Sequence, residues 1–271
     1  MCGGSSSGSA ALVAGGQVDM ATGGDQGGSI RIPAACCGIV GLKPTYGLVP
    51  YTGIMPIEFT LDHTGPMART VYDTALMLEA MAGYDGGLDP RQPRDLKVPE
   101  YTLGLTGKIH NLKIGILKEG FGLKTSEADV DKTVRKAAEQ LGTAGGATVE
   151  EVSVPMHSDG AGTAVRMYYD TTLQEAFSRG LKCHSNDLSK RGKLIRLIAK
   201  YLHEDYYGIL YGKAQNLGRE LCKAYDAALE KYDVLILPTI PKKAPVFPQE
   251  KPPLKGLILA YECVILLIMN L

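Results

Sequence analysis

Two stretches nearly free of large side chains limit what this chain can build. "MCGGSSSGSA" (residues 1–10) sets three consecutive serines behind two glycines, and "GGDQGGSIRIPAACCG" follows at 23–38. Glycine reaches backbone conformations closed to residues with a Cβ, and successive N–H groups in such a loop can converge into an anion-binding concavity. A serine directly behind the glycines has its own N–H and the preceding ones aimed at one spot, as stabilising a tetrahedral oxyanion requires. Ser29 holds that place. Phosphate binding is the weaker reading: no lysine precedes Lys43, so no GxxxxGKS or GxxxxGKT exists, and "GGDQGG" is not read as following a strand in the GxGxxG manner. A serine hydroxyl is a poor nucleophile until a base takes its proton. Asp25 and the five histidines (His63, His110, His157, His184, His203) form no recognisable Ser-His-Asp set, and each histidine is read as a surface or satisfied core residue.

Lys+Arg and Asp+Glu balance at 29 each, so no global field draws the chain to nucleic acid or to an anionic membrane. The hydrophobic share of 45% supports a sizeable core. Six cysteines are scattered without a CxxC pair, and Cys36 and Cys37 are adjacent. That pattern suits neither a disulfide framework nor a zinc site and points to a reducing, cytoplasmic setting. No basic segment followed by an apolar one opens the chain, so export is not expected.

Farther along, "RTVYDTALMLEAMAG" (69–83) predicts a helix capped by Thr70 with Asp73 as its partner, ended by Gly83, with Val71, Ala75, Leu78 and Met81 on one face. "YDGGLDPRQPRDLKVPE" (84–100) reads as a surface loop. "LKIGIL" (112–117), a helix over 126–146 with Ser126 as cap, and "TVEEVSVP" (148–155) form a strand, helix, strand unit, which argues for a parallel pair in an α/β layer fold. A helical "GKAQNLGRELCKAYDAALEKY" (212–232) leads to a further strand in "DVLILPT" (233–239). Residues 160–210 read as mostly helical. Their basic "SKRGKLIRLIAK" (189–200) is an amphipathic helix with Leu194, Leu197 and Ile198 as its apolar stripe and a solvated basic face. The apolar 256–271 is shorter than a bilayer span of about 20 residues and is read as a core-type segment or an atypical end.

"GGSSSGSAALVAGG" followed by "GGDQGGSIRIPAACCGIVGLKPTYGLVP" resembles the signature of the amidase signature family, hydrolases of carboxamides that use a Ser-cisSer-Lys triad. Ser29 lies 24 positions after Ser5, matching the family spacing. "PYTGIMPIEFTLDHTGPMARTVYDTALMLEAMAGYDG" continues the likeness, and "GGDQGGSIRIPAA" with "DPRQ" looks most like the broad-specificity acylamide amidases of nitrile-degrading pathways. The A subunit of the glutamyl-tRNA amidotransferase shares the same signature. The resemblance implies an α/β fold with a mixed, largely parallel central sheet flanked by helices. It makes residues 1–255 a partial domain with a helical insertion near 160–210, followed by the tail at 256–271.

By the same resemblance Ser29 is the acylated nucleophile and Ser5 the bridging serine that relays its proton to a lysine. The backbone N–H groups of Gln26, Gly27, Gly28 and Ser29 form the oxyanion hole. The residues themselves leave the supporting parts open: Ser6 and Ser7 either support the triad by hydrogen bonding or bond only to their local backbone, Asp25 orients the loop or simply accepts its N–H groups, and Arg31 meets a buried carboxylate or lines the substrate pocket. No metal or organic cofactor is implied. The partner is a small-molecule carboxamide, with a homodimer as the assembly the family allows. The family's lysine lies upstream of the bridging serine, whereas four residues precede Ser5 here and none is lysine. Lys43 in "GLKPT" does not match the base position. The chain therefore reads as a fragment, and three functions stay open: an amidase, an amidase-like protein without catalysis, and an amidotransferase-type ammonia-producing subunit.

Overall fold

The computed structural model describes residues 1–169, 178, 180 and 183–247. The expected α/β layering is present, with its strands divided between two three-stranded sheets. The first is antiparallel. Its central strand β3 (His63–Ala68) is flanked by β1 (Met20–Asp25) and the short β2 (Val40–Gly41). All six residues of β3 are buried, which a strand rich in small residues permits by letting neighbouring backbone close in. A Cβ on Gly65 would stand 2.3 Å from the Leu42 carbonyl oxygen and 2.7 Å from Pro44 Cδ, so no larger residue fits there. Helices α1 (Ser7–Ala14) and α2 (Arg31–Cys37) join this sheet through Ala10, Ile30, Ala34 and Met67.

Helix α3 (Val71–Met81) begins as its sequence predicts, the Thr70 hydroxyl accepting from the Asp73 N–H at 3.0 Å. It buries Ala75 and Leu78, the latter against Leu48 and Val49, but Val71 turns outward and is 57% exposed. Position N1 of this helix lies beyond the edge of the packed face.

The second sheet is parallel, in the order β5-β4-β6: Thr148–Val152, Lys113–Leu117 and Val234–Ile236. Helix α4 (Ala128–Gly145) connects β4 to β5 and packs Ala138 and Val134 against Ile116 and Phe121. Ser126 is not its cap. The helix begins after Glu127, and the Ser126 hydroxyl instead accepts from the Leu123 N–H, closing the preceding turn.

Among the described residues, a 3-10 segment (Pro155–Tyr168) and helices α5 (Lys190–Tyr206) and α6 (Ile209–Leu229) show the helical character expected of 160–210 and 212–232, whereas 170–177, 179, 181 and 182 lie outside the described residues. In α5 Ala199 is buried, whereas Leu197 is 66% exposed, so the apolar stripe is narrower than its sequence suggests. Helix α6 brings Ala228 to Leu117 and Val154 and holds the His157 ring through the Tyr225 hydroxyl at 2.6 Å. The apolar 256–271 lies outside the described residues.

Because the atoms meeting a Cβ at position 65 include a main-chain carbonyl, they cannot move aside cheaply. Gly65→Ala is expected to lose about 1–3 kcal/mol of stability, read as a lower urea midpoint at unchanged slope. An unchanged midpoint would show that the strand crossing has room to spare.

Candidate active site

Strand β1 delivers Asp25 to the end of the antiparallel sheet, opposite His63, and the chain turns through residues 26–30 into α2. The Asp25 side chain is wholly buried. Its carboxylate accepts the N–H of Gly28 at 2.6 Å, of Ile30 at 3.2 Å and of Arg31 at 3.4 Å. It also takes both arms of the Arg31 guanidinium, Nε and Nη2, at 2.9 Å each. Burial alone would raise the Asp25 carboxyl, but Arg31 and the amides of Gly28 and Ile30 hold it below the ordinary carboxylate range. One carboxylate thus fixes the turn and the start of α2 together.

The first serine loop is stitched to this turn. The Gly4–Ser5 peptide is cis. The Ser6 N–H donates to the Ser29 carbonyl at 3.2 Å. The Ser6 hydroxyl accepts from the Gly24 N–H at 3.1 Å and reaches the Gly24 carbonyl at 3.3 Å. Such closeness requires glycine at position 23, where a Cβ would lie 2.9 Å from Ser6 Oγ, Ile30 Cγ1 and Met67 Sδ. Ser5 is exposed beside the junction and Ser29 is half-buried.

The structure therefore brings Ser5, Ser6, Asp25, Gln26, Gly27, Gly28, Ser29 and Arg31 into one region, with two corrections to their expected parts. The Gly28 N–H is already donated to Asp25, which removes it from the set of oxyanion donors. The N–H groups of Gln26, Gly27 and Ser29 take no acceptor among the described residues. In addition, "GGDQGG" does follow a strand, since Gly23 and Gly24 belong to β1. Alternation was invisible there because glycine carries no side chain to alternate.

Lys43 approaches His63 Nε2 at 3.4 Å, while His63 Nδ1 faces the Leu61 carbonyl at 2.7 Å. Burial and the Lys43 charge push His63 down to about 4, so the neutral ring accepts from the ammonium. Cys2, Cys36, Cys37, Cys183 and Cys222 are free thiols.

The sequence reading missed the partners of the Gln26 side chain. Gln26 Nε2 donates to the Tyr51 hydroxyl at 3.0 Å, and the Asp62 carboxyl senses the same amide electrostatically. The available signal was "DPRQ", whose Asp89, Arg91 and Gln92 side chains pack inward instead of into solvent. Among the described residues no group of three or more His, Cys, Asp or Glu side chains is arranged to hold a metal ion. No described helix is long and apolar enough to cross a membrane.

Removing Arg31 would strand a charge. Arg31→Met is expected to cost about 3–5 kcal/mol near pH 7. A carboxyl held below its unfolded value contributes stability that is present above about pH 4 and is lost as pH falls through the folded value. The gap between wild type and variant in urea denaturation should therefore narrow between pH 7 and pH 3. An equal gap at both would remove the ion pair as its cause.

Known proteins are similar to this chain in sequence and fold. The amidase family model matches residues 1–270. The chain is 46% identical over 267 residues to the enantioselective amidase of Rhodococcus rhodochrous, covering 91% of this chain and 51% of that protein. The crystal structure of the glutamyl-tRNA(Gln) amidotransferase A-type subunit from Thermotoga maritima superposes with a TM-score of 0.77 at 29% identity, covering 99% of this chain and 57% of that one. A bacterial aryl acylamidase of the amidase signature enzymes gives a TM-score of 0.75 at 28% identity, over 89% of this chain and 50% of that one. The chain spans about half the length of the curated relatives it matches. On the match over nearly all of its residues, the chain belongs to the amidase signature family.

Proposed function

We propose that the protein to which these residues belong hydrolyses small carboxamides to carboxylate and ammonia through an acyl-Ser29 intermediate. The reading is carried by the 3.2 Å tie from the Ser6 N–H to the Ser29 carbonyl, which sets the two serine loops side by side beneath the free N–H groups of the turn. In this mechanism Ser29 Oγ attacks the amide carbonyl carbon while its proton passes to Ser5 Oγ and on to the base. The tetrahedral oxyanion is met by the N–H groups of Gln26, Gly27 and Ser29, donors already fixed before the charge develops. Collapse expels the amine nitrogen, reprotonated as ammonia, and water then cleaves the acyl ester along the same proton path. The resemblance places the base lysine upstream of Ser5. Lys43, engaged with His63, is not assigned that part.

No cofactor enters this scheme. A reducing, cytoplasmic setting is part of the proposal, supported by the free thiols of Cys2, Cys36 and Cys37. Likeness to the amidotransferase chain supports a second reading, in which the ammonia is passed to a partner protein. Residues 1–255 are taken as one partial domain.

A fluorophosphonate serine probe tests the proposal. The adduct is expected on Ser29, absent in Ser29→Ala, and formed about 100-fold more slowly in Ser5→Ala if Ser5 relays the proton. A folded protein that remains unlabelled would favour an amidase-like chain without catalysis, and co-purification of a stoichiometric partner would favour the amidotransferase reading.

A further inference from the structure

Asp25 restrains the second half of the turn, through Gly28, Ile30 and Arg31, and leaves Gln26 and Gly27 without a main-chain anchor. Those are two of the three remaining oxyanion donors. What holds them is the Gln26 side chain, which is 5% exposed and bonded to the Tyr51 hydroxyl at 3.0 Å, with Asp62 close enough to act on it electrostatically. Tyr51 and Asp62 are in turn fixed by the segment 89–91.

The Asp89 carboxylate accepts the Tyr51 N–H at 2.8 Å. The Arg91 guanidinium donates to the Asp62 carbonyl at 2.7 Å and pairs with Asp89 at 2.6 Å, both side chains only 3% exposed. The same guanidinium lies 4.9 Å from the centre of the Tyr51 ring and 5.2 Å from that of Phe59. The Asp62 carboxylate also accepts the N–H groups of Ile57 at 3.0 Å and Glu58 at 3.2 Å, which fixes its direction. A buried pair this well satisfied adds rigidity at a defined place more dependably than it adds net stability.

We propose that Tyr51, Asp62 and the Asp89–Arg91 ion pair form one positioning unit that holds the oxyanion loop through the Gln26 side chain. The proposal rests on the reading of Ser29 as nucleophile. None of the four touches the reacting atoms in this scheme; they act by fixing where the Gln26 and Gly27 N–H groups point. Catalytic donors displaced by about 1 Å lose on the order of 100-fold in rate, and lysine cannot replace an arginine that stacks and donates along several directions at once.

The test uses three variants of the full-length protein that carries these residues: Tyr51→Phe, Asp62→Asn and Arg91→Lys. For each, the fluorophosphonate inactivation constants kinact and KI are measured alongside hydrogen exchange of the peptide covering residues 25–31. A positioning role is expected to lower kinact at least about tenfold with KI unchanged. It should also speed exchange in 25–31 while peptides from β4, β5 and β6 keep their wild-type rates. Tyr51→Phe removes a single oxygen and keeps the ring beneath Arg91, so it decides the matter if either other variant fails to fold. A folded Tyr51→Phe with wild-type kinact and wild-type exchange would overturn the proposal. If the full-length protein that carries these residues and the upstream lysine takes no adduct on Ser29, the nucleophile reading fails. The exchange comparison still tests the clamp, with unaltered exchange in all folded variants overturning it.

Discussion

A carboxylate without access to water organises this site. Asp25 is buried at the end of β1 and gathers three main-chain amides and two arms of Arg31. A buried charge is tolerated only when its lone pairs are met by donors, and here the donors all belong to the turn that carries Ser29. The local chain is therefore committed to one conformation by the need to satisfy Asp25. The first serine loop then docks on that turn through Ser6, whose N–H and hydroxyl take fixed partners on Ser29 and Gly24. Small residues at positions 23 and 65 are the packing counterpart of this electrostatic commitment, because the loops and strands approach too closely for a Cβ.

The same logic repeats on the other side of the turn, where Asp62 and the Asp89–Arg91 pair surround Tyr51. Irregular segments lack a ladder of main-chain hydrogen bonds, so their buried amides are answered by side chains. Asp25, Asp62, Asp89 and Gln92 each do this, and Gln92 bridges the Gly47 and Gly83 carbonyls at 2.9 and 2.7 Å. This explains how so polar a region stays buried beside the turn that carries Ser29.

Legibility in the sequence followed side-chain periodicity. Helices α3 and α4 and strands β4, β5 and β6 could be read because large apolar residues recur at helical spacing or in compact runs. Strands β1 and β3 could not: "MATGGD" and "HTGPMA" carry glycine, threonine and proline where a buried strand usually shows branched apolar residues. The segment 84–100 is the largely exposed loop its composition suggests, but its composition does not reveal that Asp89, Arg91 and Gln92 turn inward and satisfy one another and their neighbours. At the site, Ser5 and Ser29 were legible from the motif and its spacing. The engagement of the Gly28 N–H by Asp25 depends on how the turn closes, which no spacing encodes.

The most direct measurement is a crystal structure of the chain with a phosphonyl group attached to Ser29. The account expects the phosphonyl oxygen within about 2.7–3.1 Å of the N–H groups of Gln26, Gly27 or Ser29, Ser5 Oγ in hydrogen-bond contact with Ser29 Oγ, and the Gly28 N–H still on Asp25. An adduct oxygen turned to solvent, or serine oxygens held apart by the two loops, would contradict it.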